Sequence, residues 1–340
     1  MSIPYRTQQK LKRIAVALLI LLVVSAIGLG MWVIWLQRFV VYTRDTGAVI
    51  DFEKSEILPT GELAVPPEEE MAVEIYYNEG DNKINVGLEL TQLNGYYVTG
   101  EELLADPAGV WEQIQALPTG TAVMLDVKDI YGDFYYSTTT GRPKSSDGNI
   151  AGVDALLQNL KRSNYYTIAR LPTLRDRAFG LDQSTNGMPI EGGYLWIDEQ
   201  GCYWLDPTKE GTVTYLINVI KELQSLGFNE VVLEEYYFPD TDDIVFTSDK
   251  QQALADTAKA LINNCTDNTF AVSFVTDGSW TMPDGRTRVY RDDVNNPVEL
   301  LTTVENLTIE NPAINLVFIT NNTDPRFEEY SVLRPLNQAR

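Results

Sequence analysis

The 340-residue chain contains no histidine, and that absence removes Ser-His-Asp and Cys-His catalysis, imidazole general bases and histidine-ligated zinc together. Acid–base chemistry is left to carboxylates. Cysteine is scarce as well: Cys202 and Cys265 are too few for a disulfide framework, and the sequence leaves open whether they pair or remain buried thiols. Basic residues are outnumbered, with 26 Lys and Arg against 48 Asp and Glu and a formal net charge of −22. A field of that sign repels polyanions, so nucleic acid is excluded as a partner. Nothing in the composition calls for a cofactor or a resident metal. The acidic run Asp240, Asp242, Asp243 lacks the spacing of a calcium-binding loop and reads as a solvated turn.

One long apolar run is present. Residues 14–36 (IAVALLILLVVSAIGLGMWVIWL) carry no charge, and about 23 positions at ~1.5 Å each cover the ~30 Å hydrocarbon core of a bilayer. The run exceeds the apolar stretch of a cleaved signal and ends in Trp32 and Trp35, which suit the water–lipid boundary. It is therefore expected to be an uncleaved transmembrane helix. Arg6, Lys10, Lys12 and Arg13 precede it without an acid among them, so residues 1–13 are expected in the cytoplasm and the rest of the chain outside the cell membrane. Residues 37–70 then divide in two. Alternation around Asp45-Thr46-Gly47 predicts a short hairpin over residues 39–52, and PTGELAVPPEEE (residues 59–70) has the composition of an acidic, proline-rich linker.

Residues 71–335 alternate strand-like and helix-like stretches over a length typical of one (β/α)₈ barrel. The strand candidates are residues 95–99, 122–127, 166–171, 230–234, 270–275 and 313–320. Each is short and apolar on both faces, as in a parallel sheet covered by helices. Helices are predicted over residues 100–117, 152–163, 211–226, 248–263 and 297–306. In the third of these Tyr215, Val219, Leu223 and Leu226 form one stripe, Gly227 supplies the C-cap, and the chain turns directly into EVVLE. The expected architecture is an α/β TIM-like barrel preceded by one transmembrane helix.

In such a barrel the reactive side chains stand at the C-terminal ends of the strands. AVMLDVKD brings Asp126 and Asp129 there, EVVLEEYYFP brings Glu234 and Glu235, and YTIARL adds the cation Arg170. Asp126 and Glu234 are the candidate catalytic pair, because glycoside hydrolysis needs one carboxylic acid for the leaving oxygen and a second carboxylate as nucleophile or base. Asp129, Arg170, Asp206 and Glu235 are candidates for holding substrate. Trp204, Tyr236 and Tyr237 adjoin the acids and are candidates for an aromatic cleft wall on which a sugar ring stacks.

Four segments carry a resemblance: GYYVT (residues 95–99), LDVKDIYG (125–132), IARLPTLRDRAFG (168–180) and the run YWLDPTKEGTVTYLINVIKELQSLGFNEVVLEEYYFP (203–239). Together they resemble the "putative glycosyl hydrolase domain" family of bacterial surface proteins, a TIM-barrel family. The resemblance places Asp126, Lys128 and Asp129 on a family strand end, Arg170 on its I-A-R, and Asp206 with Pro207 on its W-L-D-P. Glu234 stands where the family has Asp, and Tyr237 where it has Arg. Combined with the apolar run, the resemblance implies a membrane-anchored extracytoplasmic glycoside hydrolase whose partner is a polysaccharide or cell-wall glycan. The exchange of Arg for Tyr237 favours a non-catalytic glycan-binding module as the alternative, with an envelope scaffold as a third reading.

Overall fold

The computed structural model describes residues 40–43, 47–50, 89–144 and 149–339. The chain separates into two compact units, Met1–Gly80 and Asp81–Arg340. In the first, Val40–Thr43 pairs antiparallel with Gly47–Ile50. The predicted span at residues 14–36 and the linker at 59–70 lie outside the described residues. Among those described, no helix is long and apolar enough to cross a membrane.

The second unit is a closed ring of eight parallel strands: β1 (Asn94–Val98), β2 (Ala122–Asp126), β3 (Tyr166–Pro172), β4 (Glu230–Glu234), β5 (Ala271–Val275), β6 (Val289–Arg291), β7 (Leu316–Ile319) and β8 (Ser331–Pro335). Neighbours in the ring are neighbours in the chain, and β8 pairs with β1 to close it. This is a TIM-type barrel. Helices α1 (Gly100–Ala105), α2 (Pro107–Gln115), α3 (Ile150–Lys161), α4 (Arg177–Asp182), α5 (Glu210–Leu226), α6 (Lys250–Cys265), α7 (Pro297–Leu307) and α8 (Pro312–Asn315) occupy the crossovers. The β5–β6 connection has no helix, and that between β7 and β8 holds only a 3-10 turn, Pro325–Glu329.

Local chemistry explains the boundaries. Thr99 starts α1 through a reciprocal capping box with Glu102. The single helix predicted over residues 100–117 is two, because Asp106 accepts from the Gly109 amide as a fresh N-cap and Pro107 fits only a first helical turn. Helix α5 ends at Gly227, whose φ of 101° needs a residue without Cβ. Strands β6 and β8 have no counterpart among the strand candidates. The first is three residues long, and the second mixes Ser331, Arg334 and Pro335 into its five. Cys202 and Cys265 are both free and buried.

Alternation along the strands gives the barrel interior three levels. The middle is apolar: Met124, Ile168, Val232, Tyr290, Val317 and Leu333 pack against one another. Below it, at the N-terminal ends, Glu230 and Arg288 form a buried ion pair. Glu230 also accepts from the hydroxyls of Tyr166 (2.9 Å), Tyr290 (2.9 Å) and Ser273 (2.5 Å). The Arg288 guanidinium in addition donates to the carbonyls of Thr91 (2.7 Å) and Ile314 (3.1 Å). Every partner is an interior group on a different strand or its lead-in, so the network ties β3, β4, β5 and β6 at their starts. Breaking such a pair from one side leaves an uncompensated buried charge. Glu230→Gln is therefore expected to destabilise the chain by about 3–5 kcal/mol, measured by equilibrium denaturation against the parent.

Candidate active site

The level above the apolar layer continues the same alternation. On β2 it follows Ala122 and Met124 to Asp126; on β3, Tyr166 and Ile168 to Arg170; on β4, Glu230 and Val232 to Glu234. Register sets Asp126 directly beside Arg170 and Glu234 beside Pro172. The Arg170 guanidinium grips Asp126 with two hydrogen bonds, Nε to Oδ1 at 2.6 Å and Nη2 to Oδ2 at 3.0 Å. The Gly100 amide, opening α1, donates to the same Oδ2 at 3.3 Å. Glu234 approaches the cation at the same nitrogen, its Oε2 3.8 Å from Arg170 Nε. Burial works against the guanidinium charge, and Asp126 ahead of Glu234 more than restores it, so Arg170 stays a cation.

Glu234 is the perturbed acid of this group. Burial raises its pKa first of all, Arg170 pulls it back, and Asp126, Asp292 and Glu235 push it up again, to about 7. The side chain sits deep in the mouth yet keeps 31% of its surface open to the cleft. A carboxyl group so placed exchanges protons near neutrality, as general acid–base chemistry requires. Tyr97 on β1 completes this side of the mouth. Burial raises its phenol's pKa, opposed by Arg170 and reinforced by Glu102 and Asp126.

The remaining sequence candidates take other positions. Asp129 accepts from the amides of Tyr131 (2.9 Å) and Asp133 (3.0 Å) and pairs with Lys144 at 2.7 Å, which organises the loop after β2. Asp206 is buried and accepts from the amide and hydroxyl of Thr208 at 2.9 and 2.7 Å, closing the turn into α5. Glu235 follows Glu234 with φ of 51°, a left-handed conformation that is strained for a residue with a side chain. That turn aims its carboxylate at Arg175 (3.1 Å) and the Tyr237 hydroxyl (2.8 Å). Arg175 also holds Asp198 at 2.6 Å, and Asp198 accepts the Trp204 indole N–H at 3.1 Å. Trp204 is itself buried, with its ring 5.0 Å from that of Tyr237, which is 46% exposed. Tyr237 is thus the open face of this aromatic pair.

Tyr236 does not line the cleft. It is 1% exposed, packs on Phe274 and Trp280, and donates its hydroxyl to the Leu254 carbonyl of α6 at 2.7 Å. The strand ends at Glu234, and the left-handed residue Glu235 breaks the alternation and turns Tyr236 toward the helical layer. Asp240, Asp242 and Asp243 are exposed loop residues. Arg175, Asp198 and Asp292 are not among the sequence candidates. Asp292 carries a signal, an acid directly after a strand, but the strand is too short to read.

Residues 95–270, from β1 to the edge of β5, match the family model described as "Putative glycosyl hydrolase domain". The matched stretch contains Asp126, Arg170 and Glu234. No curated protein matches the chain. Similar solved structures include a hypothetical protein from Ruminiclostridium thermocellum, 22% identical over 52% of this chain and 96% of that one with a TM-score of 0.45. The glycoside hydrolase domain of PelA from Pseudomonas aeruginosa is 12% identical over 73% and 95%, at 0.44. The alpha-galactosidase AgaB from Geobacillus stearothermophilus is 8% identical over 72% and 39%, at 0.52. At 8% identity the likeness to AgaB is one of fold alone.

The raised pKa of Glu234 has a consequence for stability. The folded state holds this proton more tightly than the unfolded chain, so the site's contribution is fully present below the unfolded pKa and is lost as pH rises through about 7. Glu234→Gln mimics the protonated acid. Its melting temperature is expected to match the parent's at pH 4, below the ordinary glutamate value of 4.5, and to exceed it at pH 8, as read by thermal unfolding at both values.

Proposed function

We propose, from the premise that this chain belongs to the "Putative glycosyl hydrolase domain" family, that it hydrolyses glycosidic bonds of an extracytoplasmic polysaccharide at the barrel mouth. The observation that carries the reading is Glu234, an acid titrating at about 7 beside a guanidinium that clamps a second carboxylate, Asp126. In this reading Glu234 protonates the leaving oxygen while Asp126 attacks the anomeric carbon, and Arg170 follows the Asp126 oxygen left outside the new ester bond. Glu234, now a carboxylate, then takes a proton from the water that displaces the ester, restoring both groups.

Geometry bears on the stereochemistry. With Arg170 Nε 2.6 Å from Asp126 Oδ1 and 3.8 Å from Glu234 Oε2, those oxygens are at most about 6.4 Å apart. That fits the ~5–5.5 Å of a retaining pair better than the ~6.5–9.5 Å of an inverting one. In the same proposal residues 14–36 anchor the chain in the cell membrane, residues 1–13 stay in the cytoplasm, and the barrel works on cell-wall glycan outside. The non-catalytic reading has one observation of its own, the exposed Tyr237 ring backed by Trp204, which suits glycan retention without cleavage.

The full chain, incubated with purified bacterial wall polysaccharides, is expected to release reducing ends whose first-formed anomer, read by NMR, retains configuration. Glu234→Gln and Asp126→Asn are each expected to lower turnover about 10²–10⁴-fold. The parent's activity should fall as pH rises through about 7, where Glu234 loses its proton. Equal release by all three proteins rules the catalytic reading out, and glycan retention without release supports the binding module.

A further inference from the structure

The acids around the mouth are unequally engaged. Asp126 spends both oxygens on Arg170 and one again on the Gly100 amide. Glu235 is held by Arg175 and Tyr237, Asp129 by Lys144, and Asp293 by a two-bond contact with Arg291 at 2.8 and 2.6 Å. Asp292 is exposed and, among the described residues, accepts no hydrogen bond and joins no ion pair. It still acts electrostatically on both Arg170 and Glu234.

Its position in the ring explains that reach. Arg288, leading into β6, belongs to the floor network and Tyr290 to the apolar layer, and Asp292 is the first residue past the C-terminal end of that strand, at the barrel mouth. The ring order puts β6 two strands from β4 and diametrically opposite β2. Glu234 therefore lies between Asp126 on one side and Asp292 on the other.

Building on the glycoside hydrolase reading, we propose that Asp292 is a third catalytic carboxylate, the uncompensated anion that faces the sugar ring and stabilises the positive charge developing at the anomeric carbon. The transition state of glycoside cleavage is oxocarbenium-like. Asp126 with Arg170 is a neutral unit, and Glu234 in its acid form is neutral as well. As Asp126 spends its charge on the forming ester bond, the Arg170 guanidinium is left without its counter-charge, and Asp292 is the anion that offsets it at the developing cation. A negative charge at the mouth that meets charge appearing only in the transition state acts on kcat more than on KM.

The same anion helps Glu234 keep its proton. The charged groups facing Glu234 are Asp126 from β2, Arg170 from β3, Glu235 from its own strand and Asp292 beyond β6, while no charged group of β5 acts on it. Removing Asp292 should move the basic limb of the pH–rate profile to lower pH.

The test uses the full chain and whichever purified wall polysaccharide the parent cleaves. Asp292→Asn is expected to lower kcat about 10²-fold or more, with KM changed far less and the basic limb displaced downward. Asp292→Glu, which keeps the charge, should leave the limb in place. Asp293→Asn, which disturbs only the Arg291 pair, should behave as the parent. Both effects of Asp292→Asn together support the assignment. An unchanged kcat or an unmoved limb, in a parent that turns over, overturns it and leaves the hydrolase reading intact. A parent that cleaves none of the polysaccharides overturns both.

Discussion

Eight parallel strands that pair in chain order and close on themselves leave each strand residue two directions, toward the axis or toward the helices. Everything functional in this protein depends on which residues receive the axial direction. Their parity is fixed by the apolar middle, where Met124, Ile168, Val232 and Tyr290 meet. A slip of one position on any strand would carry those side chains outward and bring their neighbours in. The same parity therefore determines, two residues below, that Glu230 and Arg288 meet in the floor. Two residues above, it determines that Asp126, Arg170 and Glu234 meet at the mouth.

The two polar levels handle charge differently. In the floor one acid and one base are enclosed together, and Tyr166, Ser273, Tyr290 and two backbone carbonyls occupy their remaining hydrogen-bonding capacity. Such a network holds the strands and offers nothing to a ligand. At the mouth one guanidinium serves two flanking carboxylates, with a third in its field. The excess acid raises the Glu234 pKa on top of burial, which is unfavourable for the folded state at neutral pH and useful for proton transfer. The lower level is fully paired, and the upper one is left with an excess of acid.

How much of this is legible in the sequence depends on strand length and on parity. The run from α5 through Gly227 into β4 can be read because periodicity, cap and apolar strand are contiguous. Asp126, Arg170 and Glu234 can be placed at strand ends for the same reason. Asp292 cannot, because β6 offers only Val289 to Arg291 as a pattern. Tyr236 is misplaced by adjacency to the acids, because alternation stops with the strand at Glu234 and the left-handed residue Glu235 turns the chain outward, where the Tyr236 hydroxyl bonds the Leu254 carbonyl of the helical layer. The Arg175–Asp198 pair has no local signature at all. Its members are brought together by the long excursion between β3 and α5.

That pair also bears on the most conspicuous departure from the family pattern, tyrosine in place of arginine at Tyr237. On sequence alone, the exchange removes a cation from the presumed site, at its rim next to Glu235 in the chain. In the folded chain Glu235 is not left without one, since Arg175 reaches it at 3.1 Å from the preceding loop and the Tyr237 hydroxyl takes the other oxygen at 2.8 Å. The left-handed turn at Glu235 aims the carboxylate at both partners. Compensation is therefore local to the rim, and Arg170, the cation on which Asp126 and Glu234 depend, belongs to a different strand level and is untouched by it. What the exchange adds is an exposed ring set edge-on to Trp204 at the rim of the mouth.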